Sequence, residues 1–325
     1  MVNMISGLAT TIIPVFNRPK LLVEAVNSVL AQTYRPIEII IVDDGSTDDT
    51  AKVADNLAKD HPQEIRVIHQ TNSGVGLARE AGRLQAKGEF IQHLDSDDIL
   101  LPRKFELQIA GLKAHPECGV VYGKTRYCEA GEIPKDIPWK RTGERIETMF
   151  PAFLESRWWG TSTPLYRREI TDRAGAWTSL RREEDWEYDS RIAALGVKLY
   201  YCDEFVSNQR DISADRLCRK FDISSWRDRA KAHALIFEHA RSAGINEDTS
   251  EMCRFARELF WLSRECAREG LAKESKELFQ LATAASGKKR GNGFDFKVYG
   301  ALASIIGWVN TGKLFCFCHR FKHDI

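Results

Sequence analysis

Three acidic clusters carry residue types and spacings that could do chemistry. The segment LDSDD (94–98) places three carboxylates within four residues. Such charges repel one another, and a divalent cation relieves that repulsion most simply. Mg2+ and Mn2+ are hard ions that take one or two protein carboxylates and complete their shell with phosphate oxygens and water, so the segment points to a metal-bound diphosphate. On an extended backbone Asp95 and Asp97 would project to the same side. A solvated acidic turn or a helix N-cap ahead of Pro102 would look the same, and this motif alone does not separate the readings. The second cluster, VDDGS (42–46), offers Asp44 as an acceptor for a base or ribose beside a tight turn that Gly45 permits. An ordinary Asp-Gly turn ahead of a helix is its plain alternative. The third, REED (182–185), runs into Trp186. Acidic residues in a first helical turn complement the helix dipole, but against an aromatic wall a carboxylate loses solvent and its pKa rises, as a general base requires.

The elements that must position these clusters read as an α/β frame. From residue 8, short apolar runs alternate with segments of helical period, the signature of βα units feeding a mainly parallel, Rossmann-like sheet flanked by helices. LATTIIPVF (8–16) predicts a strand, and Pro19 suits the first turn of a helix whose Leu22, Ala25, Val26 and Val29 share one face. IEIIIV (37–42) predicts a central strand covered on both sides. Ser46 with Asp49 resembles a capping box, opening a helix that ends before Pro62. A strand over 65–70, a helix over 74–87 closed by Gly88, a strand over 89–94, a helix over 101–115 and a strand over 119–128 follow. Residues 129–160 read as a loop and short helix, with Trp158 and Trp159 lining one wall of a cleft. TPLYRREI (163–170) predicts a strand, the segment from REED onward a helix capped by Gly196, and residues 197–206 the last strand. Loops beyond the carboxyl ends of strands are where such sheets hold ligands. Past residue 215 the pattern changes to charged amphipathic helices, clearest over 253–286, so the chain divides into an α/β domain (1–215) and a C-terminal helical region (216–325).

Composition excludes some partners. Lys and Arg number 47 against 46 Asp and Glu, so no global basic field argues for nucleic acid. Eight cysteines are scattered without a CxxC pair, which points to free thiols in a reducing cytoplasm, and the stretch before Phe16 lacks the basic start of a signal peptide.

Taken together, IIPVFNRP (12–19), AQTY (31–34), IEIIIVDDGSTDDT (37–50), NSGVGLAREAG (72–82), GEFIQHLDSDDILLP (88–102) and EEDWEYDSRIAALG (183–196) resemble, in order and spacing over residues 5–210, family 2 glycosyltransferases of the GT-A fold. The resemblance implies an inverting enzyme that moves a sugar from a nucleotide diphosphate sugar, commonly a UDP-sugar, onto an acceptor hydroxyl with the help of Mg2+ or Mn2+. It implies that Pro14, Phe16 and Asn17 line the nucleotide, with Phe16 beside the base, and that Asp44 accepts from the base ring. It further implies that Arg79 is a basic position near the nucleotide, that Asp95 and Asp97 form the DxD element with Asp97 the direct metal ligand, and that Asp185 is the base. Trp158, Trp159, Glu184 and Trp186 are the expected acceptor-site residues, the acceptor being a glycan or a lipid-linked molecule. Two departures stand out: Glu80 replaces the Asn of the A-R-N-x-G block, and SNQRD (207–211) is not the QxxRW-like element of processive synthases, so single addition is expected. A sugar nucleotidyltransferase is a weaker match because PVFNRP lacks a glycine-rich phosphate loop. A non-catalytic sugar-nucleotide binder would not need every acidic position.

The C-terminal region leaves two readings open. Leu271 to Leu281, with Phe260 to Leu262, suggests a helical hairpin of the TPR kind or plain packing. YGALASIIGWV (299–309) is too short to span a bilayer, yet Lys288, Lys289, Arg290, Lys313, Arg320 and Lys322 frame it. It either packs on the catalytic domain or rests on anionic lipid as a peripheral contact.

Overall fold

The computed structural model describes residues 3–129, 132–211, 222–287 and 293–320, with side chains as far as residue 315. The chain forms two compact units: Met1–Met149, Trp158–Tyr188 and Leu195–Asp215 make the first, and Phe150–Arg157, Asp189–Ala194 and Arg216–Ile325 the second.

The first unit is built on an eight-stranded mixed sheet of order β3-β2-β1-β4-β7-β6-β8-β5. Its strands are β1 (Ile5–Val15), β2 (Ile37–Asp43), β3 (Ile65–His69), β4 (Gly88–His93), β5 (Ile99–Leu100), β6 (Cys118–Glu129), β7 (Leu165–Arg167) and β8 (Lys198–Asp211). The run β3-β2-β1-β4 is parallel, while β7 is antiparallel to both neighbours and β5 to β8. Every residue of β2 is buried, as its apolar run requires. Glu38 survives there because Thr10 Oγ1 donates to it at 2.6 Å and Arg66 pairs with it at 2.7 Å.

Helices α1 (Pro19–Leu30), α2 (Thr50–Asp60), α3 (Val75–Gln85), α4 (Lys104–Ala114) and α5 (Arg168–Ala174) flank these strands, and α6 is Glu184–Ala194. Helix α1 buries Leu22, Ala25, Val26 and Val29 as its periodicity predicts. The capping box does not form. Helix α2 begins at Thr50, whose N–H donates to Asp48 Oδ1 at 2.9 Å, while the Ser46 hydroxyl accepts from Asn17 N at 3.0 Å. Gly88 closes no helix either; it lies in β4, where an added Cβ would sit 2.5 Å from Thr10 Oγ1. The strand expected over 163–170 is three residues long and turns into α5 at Arg168.

The second unit is helical: α7 (Ile223–Ser242), α8 (Ser250–Arg268), α9 (Ala272–Ala285), α10 (Phe294–Ile306) and α11 (Trp308–Arg320), with a 3-10 turn at Ala152–Leu154. The segment 253–286 is a hairpin, broken at Gly270 where φ is +84°. Phe260 and Phe296 stack at 4.2 Å, and Tyr299 meets Phe260 edge-on, so an aromatic cluster holds α8 and α10 together. Trp308 joins it through Phe279. Ile305 and Ile306, at the end of α10, stay exposed. The basic residues Lys288, Lys289, Arg290 and Lys322 lie outside the described residues. Among the described residues no helix is long and apolar enough to cross a membrane.

Candidate active site

The positions expected to line the nucleotide gather where β1, β2, β3 and β4 end. After β1 the chain passes Phe16, whose side chain is exposed, and Asn17, held at φ +52°. Asn17 Oδ1 accepts from Thr47 N at 2.8 Å, which ties the β1 loop to the β2 loop. Pro14 itself is buried within β1. Asp43 shapes the β2 turn, accepting from Ser46 N and the His69 ring, both at 3.1 Å. Gly45 is required there, since φ is +76° and a Cβ would lie 2.7 Å from Asn72 N. Asp44 faces the other way. Its Oδ1 accepts from Gln70 Nε2 at 2.7 Å and Ser73 N at 2.8 Å, and its Oδ2 from Gly74 N at 2.9 Å.

Asp95 and Asp97 leave the strand geometry assumed from their spacing. Beyond His93 the backbone folds into a turn closed by Asp98 N donating to Asp95 O at 3.0 Å, and the two carboxylates reach different partners. Asp95 Oδ1 accepts from Arg79 at 2.7 Å, and Asp97 Oδ2 from Arg18 at 2.7 Å. Asp98 is buried, accepting from Ser162 Oγ at 2.9 Å and Arg210 N at 3.1 Å. Burial, then the charges of Asp97 and Asp95, push its carboxyl well above the usual range. Among the described residues no three His, Cys, Asp or Glu side chains form a self-contained cation cage. A Mg2+ or Mn2+ ion carried in with a diphosphate needs only one or two protein carboxylates. Asp95, a quarter exposed and with no donor on Oδ2 among the described residues, and Asp97 beside it could meet that need.

Arg79 is not a free cation awaiting phosphate. It is 2 % exposed, and its guanidinium donates to Asp95 with one nitrogen and to Glu184 Oε1 with the other at 2.8 Å, while lying 4.8 Å from the Trp177 ring centroid. Trp177 in turn stacks on Tyr188 of α6 at 3.9 Å. Burial first, then the charge of Asp185, push Glu184 up to about 7 against the pull of Arg79. Asp185 is half-buried; its Oδ1 accepts from Trp186 N at 2.8 Å and its Oδ2 lies 3.5 Å from the Thr161 hydroxyl. Glu183, just before this pair, holds φ +56°, a left-handed conformation that residues other than glycine seldom adopt.

The expected acceptor wall is only partly present. Trp158 and Trp159 are buried: Arg141 lies over the Trp158 ring at 3.8 Å, and Trp159 packs on Tyr122 at 5.1 Å, so both belong to the core. Trp186 is half-exposed and Glu184 buried. Glu80 takes its partners from α3 and the loop after α5. It binds Arg83 twice at 2.8 Å and accepts from Trp177 N at 3.2 Å, fastening the loop that carries Trp177. Sequence reasoning missed Arg18, Gln70 and Trp177 and gave Asp98 no role of its own; Arg18 directly follows Asn17, which was singled out, and Gln70 ends a predicted strand.

This order of strands and helices, with the acidic loops at its carboxyl edge, is the GT-A architecture. TarS residues 1–349 of S. aureus, solved in complex with UDP, superpose with a TM-score of 0.62 at 20% identity, covering 85% of this chain and 80% of that one. The mannosyltransferase PcManGT from Pyrobaculum calidifontis, solved with GDP-Man and Mn2+, gives 0.51 at 17% identity over 94% and 83%. The model of glycosyl transferase family 2 matches residues 10–188, and the chain belongs to that family. Curated relatives include an uncharacterized glycosyltransferase of Rickettsia felis, 37% identical over 147 residues, which is 45% of this chain and 24% of that protein. Glycosyltransferase GlyG of Streptococcus pneumoniae is 43% identical over 102 residues, 31% of this chain and 34% of that protein. The matched stretch spans well under half of either relative.

Proposed function

We propose that this chain is an inverting glycosyltransferase that moves a sugar from a nucleotide diphosphate sugar, a UDP-sugar, to an acceptor hydroxyl. The observation that carries this reading is the buried guanidinium of Arg79, gripping both Asp95 of the diphosphate loop and Glu184 beside Asp185. One cation thus couples the part that would hold the leaving group to the part that would activate the acceptor. Family membership and the UDP and GDP-Man complexes of fold neighbours support the donor class.

In this reading Phe16 and Asn17 flank the nucleotide and Asp44 meets its base. Asp97 and Asp95 would hold the Mg2+ or Mn2+ ion, which when bound would supply positive charge against the departing diphosphate. Arg18, bonded to Asp97, fixes that carboxylate's direction. The Asp185 carboxylate takes the proton of the acceptor hydroxyl, whose oxygen bonds to the anomeric carbon from the face opposite the nucleotide as the bond to the diphosphate oxygen breaks. The configuration inverts. Arg79 stays charged and keeps Asp95 and Glu184 from repelling one another, so Asp185 keeps its place on the acceptor side, opposite the leaving group. The loop PVFNRP, without glycine, disfavours a nucleotidyltransferase. The five described cysteines are free thiols, in keeping with a cytoplasmic setting.

The metal assignment is tested by turnover. Asp97→Asn, or EDTA on the wild type, is expected to cut donor turnover by orders of magnitude with the fold intact by circular dichroism; full activity in either case would contradict it.

For the second unit we propose peripheral contact with an anionic membrane surface. Ile305 is 77 % exposed, next to exposed Ile306, and the exposed Lys313 and Leu314 follow on α11. Apolar side chains bordered by cations suit an interfacial helix.

A further inference from the structure

Three neighbouring parallel strands end in step. Val15 of β1 pairs with Asp43 of β2, and Asp43 with His69 of β3. The next residues, Phe16, Asp44 and Gln70, therefore form one row past the carboxyl ends. Backbone bonds keep that row in register: Asp44 N donates to Val15 O at 2.9 Å and Gln70 N to Asp43 O at 3.0 Å. The row reads exposed ring, buried carboxylate, half-buried carboxamide.

The hydrogen bonds of Asp44 limit what it can still do. A carboxylate offers about four acceptor sites. Gln70 Nε2 and Ser73 N use the two on Oδ1, and Gly74 N uses one on Oδ2. About one site is left, on Oδ2. An ionised carboxylate only accepts, so Gln70 must turn its NH2 toward Asp44. One N–H of that group is spent on Oδ1, and among the described residues the Gln70 side chain makes no other hydrogen bond. Asp44 and Gln70 together present one acceptor beside one donor.

We propose that Gln70 is a specificity-determining residue for the base of the nucleotide donor and, with Asp44, selects a uracil or thymine ring. This rests on the donor reading above. The ring lies against Phe16, its imide N–H donates to Asp44 Oδ2, and the adjacent carbonyl accepts from the second N–H of Gln70. Cytosine inverts both groups, setting a lone pair against the carboxylate and an amino group against the carboxamide N–H. Guanine matches the first pair of bonds but brings a second donor, its 2-amino group, for which Asp44 has no site left. An unsatisfied buried donor costs about tenfold or more in affinity.

Calorimetric titration of the full chain with UDP, CDP and GDP in the presence of Mn2+ tests this. The expected result is that UDP binds at least about tenfold more tightly than CDP or GDP. Gln70→Met keeps the length of the side chain and removes the donor, so the preference of UDP over CDP should fall to within about threefold, chiefly through weaker UDP binding. Gln70→Glu also lacks the donor and should show the same loss, which keeps the test decisive if one variant fails to fold. Equal binding of GDP or CDP by the wild type, or an unchanged preference in the folded variant, overturns the role of Gln70 alone. Binding of no nucleoside diphosphate overturns the donor reading and this inference with it.

Discussion

Replacing Arg79 by Met keeps much of the side chain's bulk but removes the charge that two carboxylates share. The variant loses two charge-assisted hydrogen bonds, at 2.7 Å to Asp95 and 2.8 Å to Glu184, and the cation over Trp177. Asp95 is a quarter exposed and recovers water, whereas Glu184 is buried beside Asp185 and does not. Breaking a buried ion pair by removing one partner costs about 3–5 kcal/mol. For a unit of this size that lowers Tm by about 6–20 °C. The cost must depend on pH. Glu184 already sits near 7, and without Arg79 it rises further, so at about pH 5 it takes a proton and most of the penalty disappears, whereas at about pH 8 the fold must strand the charge or bind a proton that the unfolded chain does not, and the penalty remains. Denaturant unfolding of wild type and Arg79→Met at both pH values is the assay. A loss below about 1 kcal/mol at the higher pH, or a loss of equal size at both, would refute the claim that this guanidinium holds the site's carboxylates together.

Other perturbations follow from the same geometry. Glu184 has a folded pKa of about 7, above its ordinary 4.5, so its stabilising share is complete below the lower value and is lost as pH rises through the upper one. Wild type should therefore lose stability relative to Glu184→Gln between about pH 5 and about pH 8 in thermal melts; a difference flat in pH contradicts this. For the second unit, Ile305→Ser with Ile306→Ser should abolish salt-sensitive co-sedimentation with vesicles of anionic lipid while leaving neutral vesicles unbound. Undiminished pelleting of the double variant would remove the membrane proposal.

Much of the frame was legible because burial on a parallel sheet leaves a plain trace. The apolar runs of β1, β2 and β4 and the three-and-four spacing of α1 follow directly from which faces are covered. Short elements leave no such trace. Two residues of β5 carry no period, and the three of β7 are followed by Arg168 and Glu169, which suit a helix start as well as a strand. Trp158 and Trp159 read as a ligand wall because aromatic pairs serve both surfaces and cores, and sequence does not show burial. The loops after β2 and β4 were identified by their carboxylates, but the partners of those carboxylates were not. Arg79 lies 16 residues before Asp95 and 105 before Glu184, so only the fold brings the three together. Gln70 escaped because its meaning depends on the register of β3 against β2.

The most direct test of the account is what Asp185→Asn does to binding and to turnover when measured separately. Purified wild type and variant would be titrated with UDP and then incubated with UDP-sugars and Mn2+, following released UDP. If Asp185 is the base and the nucleotide is held elsewhere, the variant binds UDP within about threefold of wild type while its turnover falls by orders of magnitude. Loss of UDP affinity as large as the loss of rate, or turnover that survives the substitution, would contradict it.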